Sequence, residues 1–199
     1  MKKTILFVVL QQYADWEAAY ISSAITMLGE GQYEIKTVSL SKDYVQSIGG
    51  FKIIPDYDIT SVPNDYEALI LIGGMAWRTE SAQQVKMLVE DCRKKDKVLA
   101  GICDASAFLG TMGALNEVFH TSNDLNDLKQ WEGATYTGEQ KYIAKQAVSD
   151  KNVITANGTA PMEFAKEILL ALNVATEEKI LDWYNFHKLG LYTAPMPKM

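Results

Sequence analysis

Cys103 stands in the run VLAGICDASAFL (residues 98–109), where an apolar stretch passes into a helical pattern with no room for a loop. Gly101 and Ala105 lie two residues either side of it, and both are small. A nucleophile elbow needs small residues at those places, because larger side chains would collide in so tight a turn. A thiol there faces the unpaired N–H groups and positive dipole end of the following helix, and both stabilise the thiolate. The chemistry on offer is attack by sulfur on an electrophilic carbon, or reversible oxidation of the sulfur. An inert thiol buried at a strand end fits the same spacing. Cys92 makes the contrast: it lies on the apolar stripe of a helix and reads as a core thiol.

Glu17 is the second candidate. It precedes Tyr20 and Ile21 by three and four residues, which puts it on the core-facing stripe of the first helix. A carboxylate there is costly unless something pairs with it. Burial raises its pKa, and it can then donate a hydrogen bond to a thiolate or act as acid and base. A first-turn Glu that merely complements the helix dipole fits equally well. Asp15 reads as the cap of the same helix. Gly73-Gly74, after an apolar run, let the backbone approach a ligand closely. An N–H from Gly74 or Met75, with the N–H of Asp104, would make an oxyanion hole. Trp16 and Trp77 flank these positions; walls of a small apolar pocket would fit them, and they are read as core.

Elements that bring these residues together follow from the pattern. Apolar runs at residues 5–10, 33–40, 68–72, 97–102 and 152–156 read as fully buried strands, which implies helices on both faces and a mostly parallel sheet. Helical stripes are formed by Tyr20, Ile21, Ala24 and Leu28; by Val85, Leu88, Val89 and Cys92; and by Phe164, Ala165, Ile168, Leu169 and Leu172 after Pro161. A last helix starts after Thr176 and ends at Gly190, with an extended tail from Leu191. The expected fold is a three-layer α/β/α, doubly wound, flavodoxin-like domain spanning 1–199, with its core at about 3–172 and a C-terminal helix and tail at 176–199. Sites in such folds form at the carboxyl ends of the strands.

Composition narrows the function. The chain has 199 residues, 48% apolar and 22% charged, with a net charge of −6 from 19 basic and 25 acidic residues. Without a basic cluster, no nucleic-acid partner is expected; Arg93-Lys94-Lys95 faces a helix end and water. Lys2-Lys3 before an apolar run resembles a secretory leader, but Gln11-Gln12 replace the small-residue cleavage site, so a first strand is expected. No stretch reaches the ~20 apolar residues of a membrane span. Two cysteines without C-x-x-C spacing and two histidines argue against a disulfide framework or structural zinc, and suit the cytoplasm.

Taken together, Asp15-Trp16-Glu17-Ala18, Leu71-Ile72-Gly73-Gly74, Ala100–Ala105 and the run from Thr155 to Pro161 resemble the DJ-1/PfpI superfamily, within the class I glutamine amidotransferase-like fold. The resemblance implies that Cys103 is the nucleophile or redox centre, that Glu17 hydrogen-bonds its sulfur, and that Gly74 and Asp104 supply the oxyanion hole. It further implies a homodimer and no cofactor. Proteases of this superfamily carry His directly after the cysteine, where this chain has Asp104. His120 corresponds roughly to a histidine near the cysteine in other members and is the remaining catalytic candidate; a loop or strand-end histidine fits it as well. The His-x-Glu pair of true amidotransferases is missing, since His187 precedes Lys188 and Leu189 and reads as packing.

The leading expectation is a cysteine-dependent hydrolase or lyase acting on a small electrophile such as an aldehyde, ketoaldehyde, amide or isocyanide. The alternatives are a redox-sensing or stress-protective protein that oxidises Cys103, and an amidotransferase-like binding domain without turnover.

Overall fold

The computed structural model describes residues 2–132 and 135–197. Seven strands form one sheet in the order β5-β2-β1-β6-β7-β9-β8. These are β1 (Lys3–Val8), β2 (Tyr33–Ser39), β5 (Tyr57–Asp58), β6 (Ala68–Leu71), β7 (Val98–Ile102), β8 (Ala147–Asp150) and β9 (Val153–Ala156). All pairings are parallel except the antiparallel β8–β9 edge. β3 (Val45–Gln46) and β4 (Lys52–Ile53) make a separate hairpin.

Alternate residues of the central strands feed two cores, as the period of a pleated strand requires. Ile5, Phe7, Ile70, Ala100 and Ile154 face α1 (Asp15–Leu28), α5 (Pro161–Ala171) and α6 (Glu177–Leu189). Leu6, Val8, Leu69, Leu71 and Leu99 face α2 (Lys86–Lys94), α3 (Asp104–Gly110) and α4 (Leu125–Glu132). The helix after β1 therefore covers one face and the helix after β6 the other. The order in which the chain adds strands reverses between β1 and β6, and in open α/β sheets sites form at the carboxyl ends beside such a reversal. The expected α/β/α, doubly wound, mostly parallel architecture is the one observed.

Several local expectations are corrected. Asp15 is the first helical residue and does not cap α1: its Oδ2 accepts from the Gly49 N–H at 2.8 Å, holding the β3–β4 hairpin to the helix start. Residues Glu80–Val85 form a 3-10 turn, so α2 proper begins at Lys86. The tail does not run extended from Leu191. Gly190, at φ +83°, accepts from the N–H groups of Thr193 and Ala194, which curls the chain into a turn. The strands β3, β4 and β5 carry two residues each, too few to show a period. α6 packs on its own chain, burying Ile180 and Trp183 and setting His187 edge-on to Tyr20. Among the described residues, no helix is long and apolar enough to cross a membrane.

Candidate functional site

Cys103 occupies the single residue between β7 and α3, at φ +58° and ψ −134°. This backbone region is sparsely populated by non-glycine residues and costs on the order of 1–3 kcal/mol, so surrounding structure must enforce it. The Cys103 N–H is tied to the Ala156 carbonyl of β9 at 3.0 Å, and its carbonyl accepts from the Ser106 hydroxyl at 2.6 Å. Gly101 and Ala105 meet as the elbow requires: a Cβ on Gly101 would lie 3.1 Å from the Ala105 carbonyl oxygen.

Glu17 arrives from the third position of α1, fully buried. Both of its carboxyl oxygens are sealed from water, and neither meets a donor at hydrogen-bonding geometry. The glycine contacts locate it. A Cβ on Gly73 would overlap Glu17 Oε2 and lie 2.6 Å from the Cys103 Cβ, and one on Gly158 would lie 3.0 Å from the sulfur and 3.3 Å from Glu17 Oε1. Gly73 and Gly158 thus wall in the carboxyl and the thiol as a pair. Burial raises the Glu17 pKa to about 7, the Asp104 charge adds to the rise, and the Cys103 thiol and Gly73 N–H oppose it. Burial and then the charge of Glu17 push the Cys103 thiol up, while the Asn123 amide and the Asp104 N–H pull it down. The ionised Glu17 raises the thiol while the thiol lowers Glu17, so the two titrate as a coupled pair.

One backbone donor, the Asp104 N–H, stands at the sulfur. Of the two candidates at the double glycine, the Met75 N–H is spent on the Gln12 carbonyl at 3.1 Å. The Gly74 N–H makes no hydrogen bond among the described residues. Gly74 sits at φ +146°, and a Cβ there would strike the Gln12 carbonyl oxygen, so only glycine fits.

His120 is not turned to the sulfur. Its Nδ1 lies 2.8 Å from the Val118 carbonyl, which can only accept, so that nitrogen carries the proton. Its Nε2 then accepts from the Tyr136 hydroxyl at 2.7 Å. The ring is buried edge-on to Tyr136 and Tyr142, and burial lowers its pKa. The residue of this segment that reaches the cysteine is Asn123, which the sequence reading missed. Its Nδ2 donates to Cys103 Sγ at 3.3 Å, and its Oδ1 accepts from the Gly158 N–H at 2.9 Å. A side-chain amide supplies one donor and one acceptor, which is what a bridge between sulfur and Gly158 requires.

Trp77 is core as expected, fully buried with its indole N–H on the Ile72 carbonyl. Trp16 is not. It is half exposed beside the site, and its N–H donates to the Gly158 carbonyl at 3.2 Å. Arg78 was likewise missed, since nothing in its surroundings in sequence marks it. It makes paired hydrogen bonds to Asp104 (2.9 and 3.1 Å) and to Asp127 (3.1 and 2.6 Å), and lies 4.6 Å from the Trp131 ring centre. No cluster of three or more His, Cys, Asp or Glu suited to a metal occurs among the described residues.

Comparison with known proteins is consistent with this geometry. A model of the DJ-1/PfpI family matches residues 3–171. The chain is 38% identical over 192 residues to "Uncharacterized protease YdeA" of Bacillus subtilis (strain 168), covering 96% of this chain and 94% of that protein. It is 34% identical over 196 residues to "Uncharacterized protease YoaZ" of the same strain, covering 94% and 91%. Among solved structures, a DJ-1 superfamily protein from Agrobacterium tumefaciens superposes with a TM-score of 0.86 at 35% identity, over 94% of this chain and 98% of that one.

Proposed function

The chain belongs to the DJ-1/PfpI family, and from that premise we propose that it is a cysteine-dependent hydrolase or lyase of small electrophiles, with Cys103 as nucleophile and Glu17 as its proton partner. One observation carries the reading: a fully buried carboxyl without a hydrogen-bond partner, walled in beside a cysteine held at strained φ. With Glu17 ionised, the thiol keeps its proton and is inert. When the proton moves to Glu17, the repulsion vanishes and the carboxyl gains an O–H to donate to the thiolate. The Asp104 N–H and the Asn123 amide already favour negative charge on sulfur, whereas Glu17 has no donor in proper geometry.

The sulfur lone pair then forms a bond to the carbonyl carbon, and the C=O π electrons move to oxygen. The N–H groups of Gly74 and Asp104 suit that developing oxyanion, and Glu17 returns its proton to it. Peptide cleavage, which the names of the Bacillus relatives suggest, fits less well. It needs an acid for the leaving amine, and Asp104, in the position after the cysteine, is committed to Arg78.

Thiol alkylation across pH tests the reading, with Cys103→Ser and Glu17→Gln alongside. Burial and an ionised Glu17 push the thiol up, but with the shared proton on Glu17 the native midpoint is expected in the activated range of ~3.5–7.5, not near the ordinary ~8.5. It should rise in Glu17→Gln, where a weaker N–H donor replaces the carboxyl O–H. An ordinary midpoint, or no labelling of Cys103 at any pH, overturns the proposal.

A further inference from the structure

The cation at the rim of this site is already spoken for twice. Arg78 gives its Nε and Nη2 to Asp104, and its Nη1 and Nη2 to Asp127. A guanidinium has five N–H donors in a fixed planar fork, and two bidentate carboxylates occupy its two usable edges. Its face is covered by the Trp131 ring. One positive charge therefore meets two negative ones, and the rim keeps a net negative charge. A third carboxylate stands close by: Asp124, next to Asn123, caps α4 through the Asp127 N–H at 2.9 Å. The pairing with Arg78 does not silence Asp104 at the reacting atoms, because its charge still raises both Glu17 and Cys103.

We infer that Asp104, Arg78 and Asp127 act as a charge filter that admits uncharged electrophiles to Cys103 and turns anionic ones away. The inference rests on the reading of Cys103 as a nucleophile. An anion approaching the sulfur meets the rim's net charge as well as the thiolate. It gains no free guanidinium unless it displaces a carboxylate tethered in the same fold. The opposite arrangement, in which Arg78 releases Asp127 to clamp a substrate carboxylate, makes the reverse prediction.

The experiment compares Cys103 alkylation by iodoacetamide, which is neutral, and iodoacetate, which is anionic, by peptide mapping. The iodoacetate-to-iodoacetamide rate ratio is divided by the same ratio for a small free thiol. At ~0.01 M salt the normalised ratio is expected to fall at least ~5-fold below one, and to return toward one at ~1 M salt, where the Debye length shrinks to ~3 Å. Asp127→Asn should raise the ratio several-fold, and Arg78→Gln should lower it further. A normalised ratio of one or more in the native protein, or a ratio in Arg78→Gln that falls from above one, overturns the filter while leaving the nucleophile standing. A Cys103 that neither reagent labels overturns both.

Discussion

The proton shared between Glu17 and Cys103 has consequences for stability as well as reactivity. Folding raises the Glu17 pKa from the ordinary 4.5 to about 7, so the folded chain holds that proton more tightly than the unfolded chain. Stability from this group is full below pH 4.5 and is lost as pH rises to about 7. Several paired carboxylates, such as Asp56 and Glu163, titrate in the opposite sense, so the useful quantity is a difference between proteins. Glu17→Gln, neutral at every pH, should gain at most about 2–3 kcal/mol over the native protein between pH 4.5 and pH 8, the full amount only where the pair's charge sits on Glu17 and not on the Cys103 sulfur. Denaturant unfolding of both proteins at those two pH values measures it. A difference that stays constant with pH would show that Glu17 is not buried as a charge.

Between the strands and helices, the turns that close the site are built from absent side chains. Gly73 ends the β6 turn and Gly158 the β9 turn, and the Cys103–Glu17 pair fills the space their Cβ atoms would occupy. Of the two, Gly158 offers the cleaner test, because its close neighbours are all side-chain atoms, whereas a Cβ on Gly73 would also lie 2.7 Å from the Ile102 carbonyl oxygen. Gly158→Ala should push the sulfur off the Asn123 amide and slow Cys103 alkylation by at least ~10-fold, since a displacement of ~1 Å is enough for such a loss. Its unfolding midpoint should move little. An unchanged alkylation rate would mean that the elbow relaxes around the methyl group and that Gly158 is not a wall of the site.

Across the whole molecule, the site follows from the order of the strands, which the chain adds to one side of β1 and then, from β6 on, to the other. That reversal sends α1 to one face and α2 to the other, and brings Glu17, Gly73 and Cys103 together from three different strand ends. Trp77 anchors the far side of this arrangement. It is fully buried, its ring centre lies 4.9 Å from that of Phe108, and its N–H is bonded to Ile72 just before the double glycine. Trp77→Ala should cost ~3–5 kcal/mol in denaturant unfolding, as removal of a large core aromatic does. A loss below ~1 kcal/mol would place Trp77 outside the framework that holds the β6 loop.

What the sequence determined by itself was whatever local pattern encodes. Continuous apolar strands with amphipathic helices between them required a parallel sheet covered on both faces. Two small residues around Cys103 required an elbow, and the helical spacing from Glu17 to Tyr20 and Ile21 pointed its carboxyl inward. The superfamily resemblance was carried by the Glu17 and Cys103 segments together with Leu71–Gly74 and the run from Thr155 to Pro161. Tertiary structure decided what depends on distance across the fold. Asn123 reaches the sulfur from 20 residues away and Gly158 from farther still, and neither has a periodicity to betray it. His120 was offered by its correspondence to a histidine of the superfamily, but the Val118 carbonyl holds its Nδ1, the Tyr136 hydroxyl holds its Nε2, and the Tyr136 and Tyr142 rings enclose it. Trp16 looked like core because it is large and apolar, yet it faces outward from α1, one residue before the Glu that faces in. Arg78 acquired meaning only when α3 and α4 brought two aspartates to it. Periodicity is written along the chain, whereas the partner of a side chain is fixed by packing between segments that the chain order does not reveal.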